Sequence, residues 1–573
     1  MKNYIEKLVL ATALTIIFSL GFFSIINKSM IWDERCYIGA GKYILKTGNF
    51  EYNIFRAHPP LSFYINSIFL LPLKFDDKMY SSDDCWQTGY DMAYHSGYSP
   101  KLILILARLP FIIMSMILAL YVFYWSRQLY GVKSGFMALA LYTFSTSIIS
   151  QSNLALTDFT ATFFIFITMY YYWKFWALKQ KKHMYMASIF FGLSLLSKLT
   201  GLVLIPILII LTLYGAFKGR RNTKNLSSNA KTLLTIFITG FLVMFLAFGF
   251  QFKPLKSVMP SHYAERAYEE FGNKFENEKI RNLAVYAFEK IPLPFPAYFF
   301  GLGAVGFTSK EGILKIFLDG EVFSKSPWYY PPAVLFYKTQ ASLFLLLILS
   351  IIFFKKIKSG NISDEYIQIM PMMLVFVLFM LNNMTVGLRH ILPIYPFMFL
   401  FISKIARLKN VLTNIAILIL MMHYVVSSLL IFPHYFAYFN EFAGGPANGY
   451  KHLAGANIDN GQDLPGLKKF MEEHNLQKIN LSYLGSIDPK EYVNYDYLPS
   501  PYFQHWVPDY KPYVTVTKRN EDCSEKKGWV AISITNLQNV YMVNETCFNW
   551  LKKYEPVTKI GYSIFVYYIP KNY

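Results

Sequence analysis

Eight ionisable side chains stand at or beside long apolar runs of the sequence: Asp33, Glu34, His58, Arg108, Asp158, Lys198, Lys338 and Arg389. A charged group at the centre of a membrane-spanning helix costs about 2.5–3.5 kcal/mol on insertion scales, so charges kept near such runs mark a functional site by default. Their types divide the work. Lys198, Lys338 and Arg389 suit a phosphate, which Arg can engage through two hydrogen bonds at once. Asp33 and Glu34 suit activation of a hydroxyl, because an ionised carboxylate in a water-poor cleft can accept its proton. Taken singly, Arg108, Lys198 and Lys338 read equally well as snorkelling cations or helix caps. Taken together, carboxylates facing several cations describe a cavity for an anionic group with a general base beside it. An aromatic, amphipathic approach along residues 61–73 and around Trp328 suits a long lipid tail. The expected chemistry is group transfer from a lipid-phosphate carrier.

The elements that must hold these residues are membrane helices. Of 573 residues, 54% are hydrophobic and only 16% charged, and mean hydropathy is +0.30. A soluble domain carries about a quarter charged residues. Apolar runs of about 20 residues, the length that crosses a ~30 Å hydrocarbon core, recur along the chain. Soluble enzymes, disordered chains and coiled coils are thereby excluded. The first run, Leu8 to Ile26, has no small-residue cleavage site and reads as a retained helix. Further spans are expected near 101–125, 134–150, 158–176, 184–198, 199–217, 232–250, 332–354, 366–381, 387–403 and 411–432, about 11 crossings in all. With the N-terminus inside, the basic clusters fall on one side: Arg127 and Lys133; Lys174 to Lys182; Lys218, Arg220, Arg221 and Lys224; Lys355 to Lys358; Lys404 to Lys409. That is the positive-inside pattern, so the formal charge of +20 sets orientation and argues against nucleic acid as a partner. The C-terminus is then outside, and the eight ionisable groups meet at the outer edge, with none on the inner side.

Three outer segments exceed ordinary connectors: 27–100, 251–331 and the tail 433–573. The stretch 61–73 is too short to span and reads as an interfacial helix. In the tail, hydropathy drops. A helix from Leu467 to His474 and strands at Lys478 to Tyr483, Tyr513 to Thr517, Val530 to Thr535 and Ser563 to Tyr568 point to a small α/β domain following a helical module over 1–432. Cys36, Cys85, Cys523 and Cys547 all lie outside the apolar runs, which makes Cys36–Cys85 and Cys523–Cys547 candidate disulfides in an oxidising compartment.

Several motifs resemble the GT-C membrane glycosyltransferases, in the branch of protein O-mannosyltransferases and the lipid A aminoarabinose transferase. They are Asp33-Glu34 after the first span, His58-Pro59-Pro60-Leu61, Arg108-Leu109-Pro110, Leu156-Thr157-Asp158 and Ser197-Lys198-Leu199-Thr200. Later come Gly387-Leu388-Arg389-His390 with Leu392-Pro393, Tyr438-Phe439-Asn440-Glu441 with Gly444-Gly445-Pro446, and Asp459-Asn460-Gly461-Gln462-Asp463. Asn460 and His390 depart from the aromatic residues common in relatives. The resemblance implies inverting transfer of a sugar from a polyprenyl-phosphate donor to a hydroxyl of a protein, lipid or glycan, outside the cytoplasm. It implies Asp33 as base with Glu34 beside it, and Asp158 as a second acid that orients acceptor or base. It also implies that His58, Arg108, Lys198, Lys338 and Arg389 bind donor phosphate or sugar. No DxD pair calls for a divalent metal, although relatives vary. The runner-up, a transporter of lipid-linked glycans, should show inverted repeats and midplane charges, and the sequence has no internal symmetry.

Overall fold

The computed structural model of the protein describes residues 2–48, 58–80, 84–218, 223–259, 261–311, 315–359, 362–383, 387–501, 522–542 and 544–570. Arg220, Arg221 and the strand expected at Tyr513 to Thr517 lie outside the described residues. The chain is mainly helical, a bundle of apolar helices followed by a small mixed sheet near the C-terminus. Lipid offers no partner to a backbone N–H or C=O, so apolar segments inside it close their hydrogen bonds as helices.

Among the described residues, Tyr4–Ile25, Pro100–Tyr130, Ser227–Ala247 and Val411–Leu430 are long and apolar enough to cross a membrane. Two expected crossings are broken. The run 134–150 is Val132–Thr143 and Thr146–Ser152, bent by 59°. The run 332–354 is Tyr330–Lys338 and Ala341–Ile352, turned by 107°. The second piece, 12 residues long, reaches only about 18 Å, so this run is not the straight crossing expected, and Lys338 stands at its corner. The expected short helix appears as Leu61–Ser67 with one further turn to Leu70, leaving Ile68 and Leu71 about half exposed.

One end of the bundle gathers basic residues. Arg127 pairs with Glu6, Arg407 donates to the carbonyls of Ile357 and Lys358, and Lys404 meets Glu365 at 3.0 Å. The last pair is almost wholly buried, with the ammonium over the rings of Phe354 and Phe401. The sequence reading has Lys404 only as a topology signal and does not name this pair. A carboxylate on the neighbouring helix Ile362–Met380 and two aromatic faces make burial of that lysine tolerable.

The C-terminal sheet has the strand order Tyr495–Tyr497, Ile479–Ser482, Gly528–Ser533, Ile564–Ile569, Thr558–Ile560. The first three strands are parallel and the last two antiparallel to their neighbours. Leu464, Leu467, Phe470 and Met471 of the helix Leu464–Glu473 pack on it, and Pro465 fixes that helix's first turn. The other side of the sheet shares one continuous core with the bundle. The segment before the helix runs along the exit of the first one: Ser29 and Trp32 donate to the carbonyls of Gln462 and Asn460 at 2.9 and 3.1 Å, and Lys28 pairs with Asp463. Disulfides join Cys36 to Cys85 and Cys523 to Cys547. The first ties the helix Trp32–Thr47 to Cys85–Tyr94, which approach so closely that a Cβ on Gly89 would overlap the Arg35 carbonyl.

Candidate functional site

Local backbone logic places four charged groups. Asp33 and Asp158 sit in the first turns of the helices Trp32–Thr47 and Thr157–Leu178, where exposed N–H groups and the helix dipole favour a carboxylate. Lys198 caps the C-terminus of Lys181–Ser197, where the same dipole favours a cation. Arg389 lies in the single turn Leu388–Ile391, entered through Gly387 at φ 88°, where a Cβ would run into the Asn457 amide. The same amide oxygen accepts from the Leu388 N–H at 3.1 Å, so the C-terminal region holds the turn that carries the arginine.

These groups line one cavity of about 330 Å³ between the helix ends and the C-terminal region. Arg389 donates to Asp33 at 2.5 Å, and Lys198 to Asp158 at 2.5 Å. Asp33 and Arg389 keep 23% and 17% of their side chains accessible, enough for a bound molecule to reach them. His58 lines the cavity, edge-on to the Tyr37 ring at 5.6 Å. Burial, with Lys198 nearby, lowers its pKa to about 4, so the ring is a neutral hydrogen-bonding group. Trp32 and Trp86 meet edge-to-face at 5.9 Å on another side, an apolar surface of the kind that packs against a sugar ring.

Three expected residues line no part of this cavity. Glu34 follows Asp33 by one position, about 100° round the helix, and turns inward. Its carboxylate takes Arg108 at 2.8 and 2.6 Å and also accepts from the backbone N–H groups of Ile31 and Ala155, with both side chains fully buried. Arg108 donates further to the Ser29 carbonyl. Lys338 is buried at the helix corner, donating to the carbonyls of Phe436 and Asn457 at 3.0 and 2.6 Å. Through Asn457 it supports the Arg389 turn from behind.

Sequence reasoning passed over other lining residues: Trp32, Trp86, Tyr37, His390, Asp459, Asn460 and Tyr541. Trp32 and His390 each adjoin a named charge, and Asp459 and Asn460 lie in a motif already noted. Nothing around Tyr541 signals its place. Among the described residues, no three His, Cys, Asp or Glu side chains are grouped so as to hold a metal ion.

Residues 105–248 match the family described as dolichyl-phosphate-mannose-protein mannosyltransferase. Three solved structures are similar to the chain. One is ArnT from Cupriavidus metallidurans bound to undecaprenyl phosphate, at 11% identity over 99% of this chain and 98% of that one, TM-score 0.44. The second is the archaeal oligosaccharyltransferase AglB from Archaeoglobus fulgidus, in complex with an inhibitory peptide and a dolichol-phosphate, at 13% over 83% and 60%, TM-score 0.46. The third is the S. cerevisiae protein O-mannosyltransferase Pmt1-Pmt2 complex bound to the sugar donor, at 18% over 45% and 37%, TM-score 0.35. This chain thus spans little more than a third of the yeast chain it matches. A comparison with curated proteins finds no match. The family match over residues 105–248 agrees with the resemblance read from the motifs, and that stretch holds Arg108, Asp158 and Lys198.

Proposed function

We propose that the protein transfers a sugar from a polyprenyl-phosphate donor to a hydroxyl acceptor on the non-cytoplasmic side of the membrane. The observation that carries this reading is the pairing Asp33–Arg389 beside Asp158–Lys198, four residues from distant parts of the chain brought to one accessible cavity at the end of a lipid-embedded bundle. Of the proteins to which this chain is similar, one is described as bound to its sugar donor and another as bound to undecaprenyl phosphate.

In this mechanism Asp33 accepts the proton of the acceptor hydroxyl as its oxygen forms a bond to the anomeric carbon. The bond from that carbon to the phosphate oxygen breaks on the opposite face, and the configuration inverts. The electron pair leaves with the lipid phosphate, whose growing charge Lys198 and Arg389 stabilise. Arg389 serves both ends: it holds the Asp33 carboxylate when the cavity is empty and turns towards phosphate when donor arrives. Asp158 holds Lys198 in place. His58, neutral, donates or accepts a hydrogen bond at the sugar.

Mass spectrometry of lipid copurifying with the full-length protein tests this reading. A polyprenyl phosphate, lost in Lys198→Ala/Arg389→Ala protein, is the expected result. Copurifying lipid without a phosphate, or a phosphate lipid retained by the double variant, contradicts it.

A further inference from the structure

The cavity has two unlike walls. On the helix wall Asp33 and Asp158 each meet a cation. Among the described residues, the wall formed after residue 454 consists of Gly455, Ala456, Asp459, Asn460, Leu484 and Tyr541, with one carboxyl and no Lys or Arg. Asp459 is 1% exposed. Its oxygens accept hydrogen bonds from the Thr535 hydroxyl and, at 3.3 and 3.4 Å, from the amides of Thr535 and Gly461, and it forms no ion pair among the described residues. Among the described residues, the titratable groups around it are Asp463, Tyr483 and Tyr541, none of them positive, and Arg389 acts on Tyr541 from the helix wall.

Such a wall is unsuited to a phosphate. It offers hydrogen bonds but no charge to balance an anion. We propose that Asp459 anchors an uncharged, hydroxyl-bearing acceptor on this wall, fixing its reacting oxygen opposite the anionic donor. This rests on the glycosyl-transfer reading above and adds the acceptor's chemical class: the portion entering the cavity is neutral, as in a glycan or glycoside, and not a carboxylate- or phosphate-bearing group. Burial without a cation pushes the Asp459 carboxyl up to about 7. Below that pH it keeps its proton and can donate a hydrogen bond to an acceptor oxygen. Once ionised it can only accept, and it repels anions.

The test is binding of an alkyl glycoside, and of the matching alkyl glucuronide, to purified full-length protein by calorimetry at pH 6 and pH 8. Wild-type protein should prefer the glycoside, with affinity falling about tenfold between pH 6 and pH 8 as the proton is lost. Asp459→Asn keeps the shape and a donor, so it should bind at pH 8 as the wild type does at pH 6. Asp459→Ala should bind about tenfold more weakly at both. Wild-type binding that is absent, independent of pH or tighter for the glucuronide overturns the proposal, as does Asp459→Asn binding as weakly as Asp459→Ala. Hydrolysis of polyprenyl-phosphate mannose, measured in parallel without acceptor, separates the two readings. Donor turnover with no glycoside binding sinks only the Asp459 proposal, whereas pH-dependent glycoside binding without turnover of any lipid-linked donor sinks the transfer reading.

Discussion

Replacing Glu34 by glutamine should cost folded stability and leave the chemistry of the surviving molecules intact. The substitution removes one charge from a pair in which both side chains are fully buried and joined at 2.8 and 2.6 Å. At a separation of about 4 Å and an effective dielectric constant of about 20, the lost attraction is about 4 kcal/mol. Stranding one member of a buried pair generally costs about 3–5 kcal/mol, because the remaining charge stays desolvated. The amide also accepts less strongly from the Ile31 and Ala155 N–H groups, which fix the entry to the helix carrying Asp33. Replacing Arg108 as well, with Met at both positions, should recover part of the loss. It cannot recover all of it, since those two amides then lack an acceptor. The assay is the melting temperature and monodisperse yield in detergent, together with donor turnover per folded molecule. Wild-type melting combined with lost turnover would refute the reasoning and make Glu34 a participant in catalysis.

Other expectations follow from the same geometry. Arg389→Ala should raise KM for the lipid-phosphate donor about tenfold or more while changing acceptor KM little, and equal changes in initial-rate kinetics argue against a phosphate role. Lys404→Met leaves Glu365 buried without its cation, so the melting temperature should drop by the equivalent of about 3–5 kcal/mol with turnover per folded molecule unchanged. Gly89→Ala should reduce folded yield sharply, because the helices joined by Cys36–Cys85 leave no room for a methyl group. Asp459 has a raised pKa, so the stability it contributes is complete below the unfolded value of about 3.9 and is lost as pH rises through about 7. Asp459→Asn should therefore melt higher than wild type above pH 7, by at most the equivalent of about 4 kcal/mol, and identical melting curves at pH 8 would count against a protonated Asp459.

The bundle and the charged residues at its edge were legible because lipid makes each departure from apolar composition conspicuous. Asp33, Asp158, Lys198 and Arg389 stood out for that reason and come together. The same rule could not separate a charge facing a cavity from one buried against a partner: Glu34 and Arg108 satisfy each other, and Lys338 satisfies backbone carbonyls. That difference lies in a rotation of about 100° between adjacent helix positions, and in tertiary contacts over 74 residues of sequence. Hydropathy also joined helices across sharp bends, at 144–145 and 339–340, since an apolar run continues through a corner. Trp86 and Tyr541 were illegible because what gives them a place is a disulfide-linked helix and the docking of the C-terminal region, not a local pattern. The Glu365–Lys404 pair was hidden among basic residues that already had an explanation as topology signals.

The central claim is that Asp33 accepts the acceptor's proton while cations beside it hold the leaving phosphate. The most direct measurement is the rate of sugar transfer from a polyprenyl-phosphate donor by wild-type and Asp33→Asn protein reconstituted in liposomes, with bound lipid phosphate quantified in both. The account predicts a loss of about a hundred- to ten-thousandfold in rate, with the protein folded and the lipid still bound. A rate close to that of the wild type contradicts it.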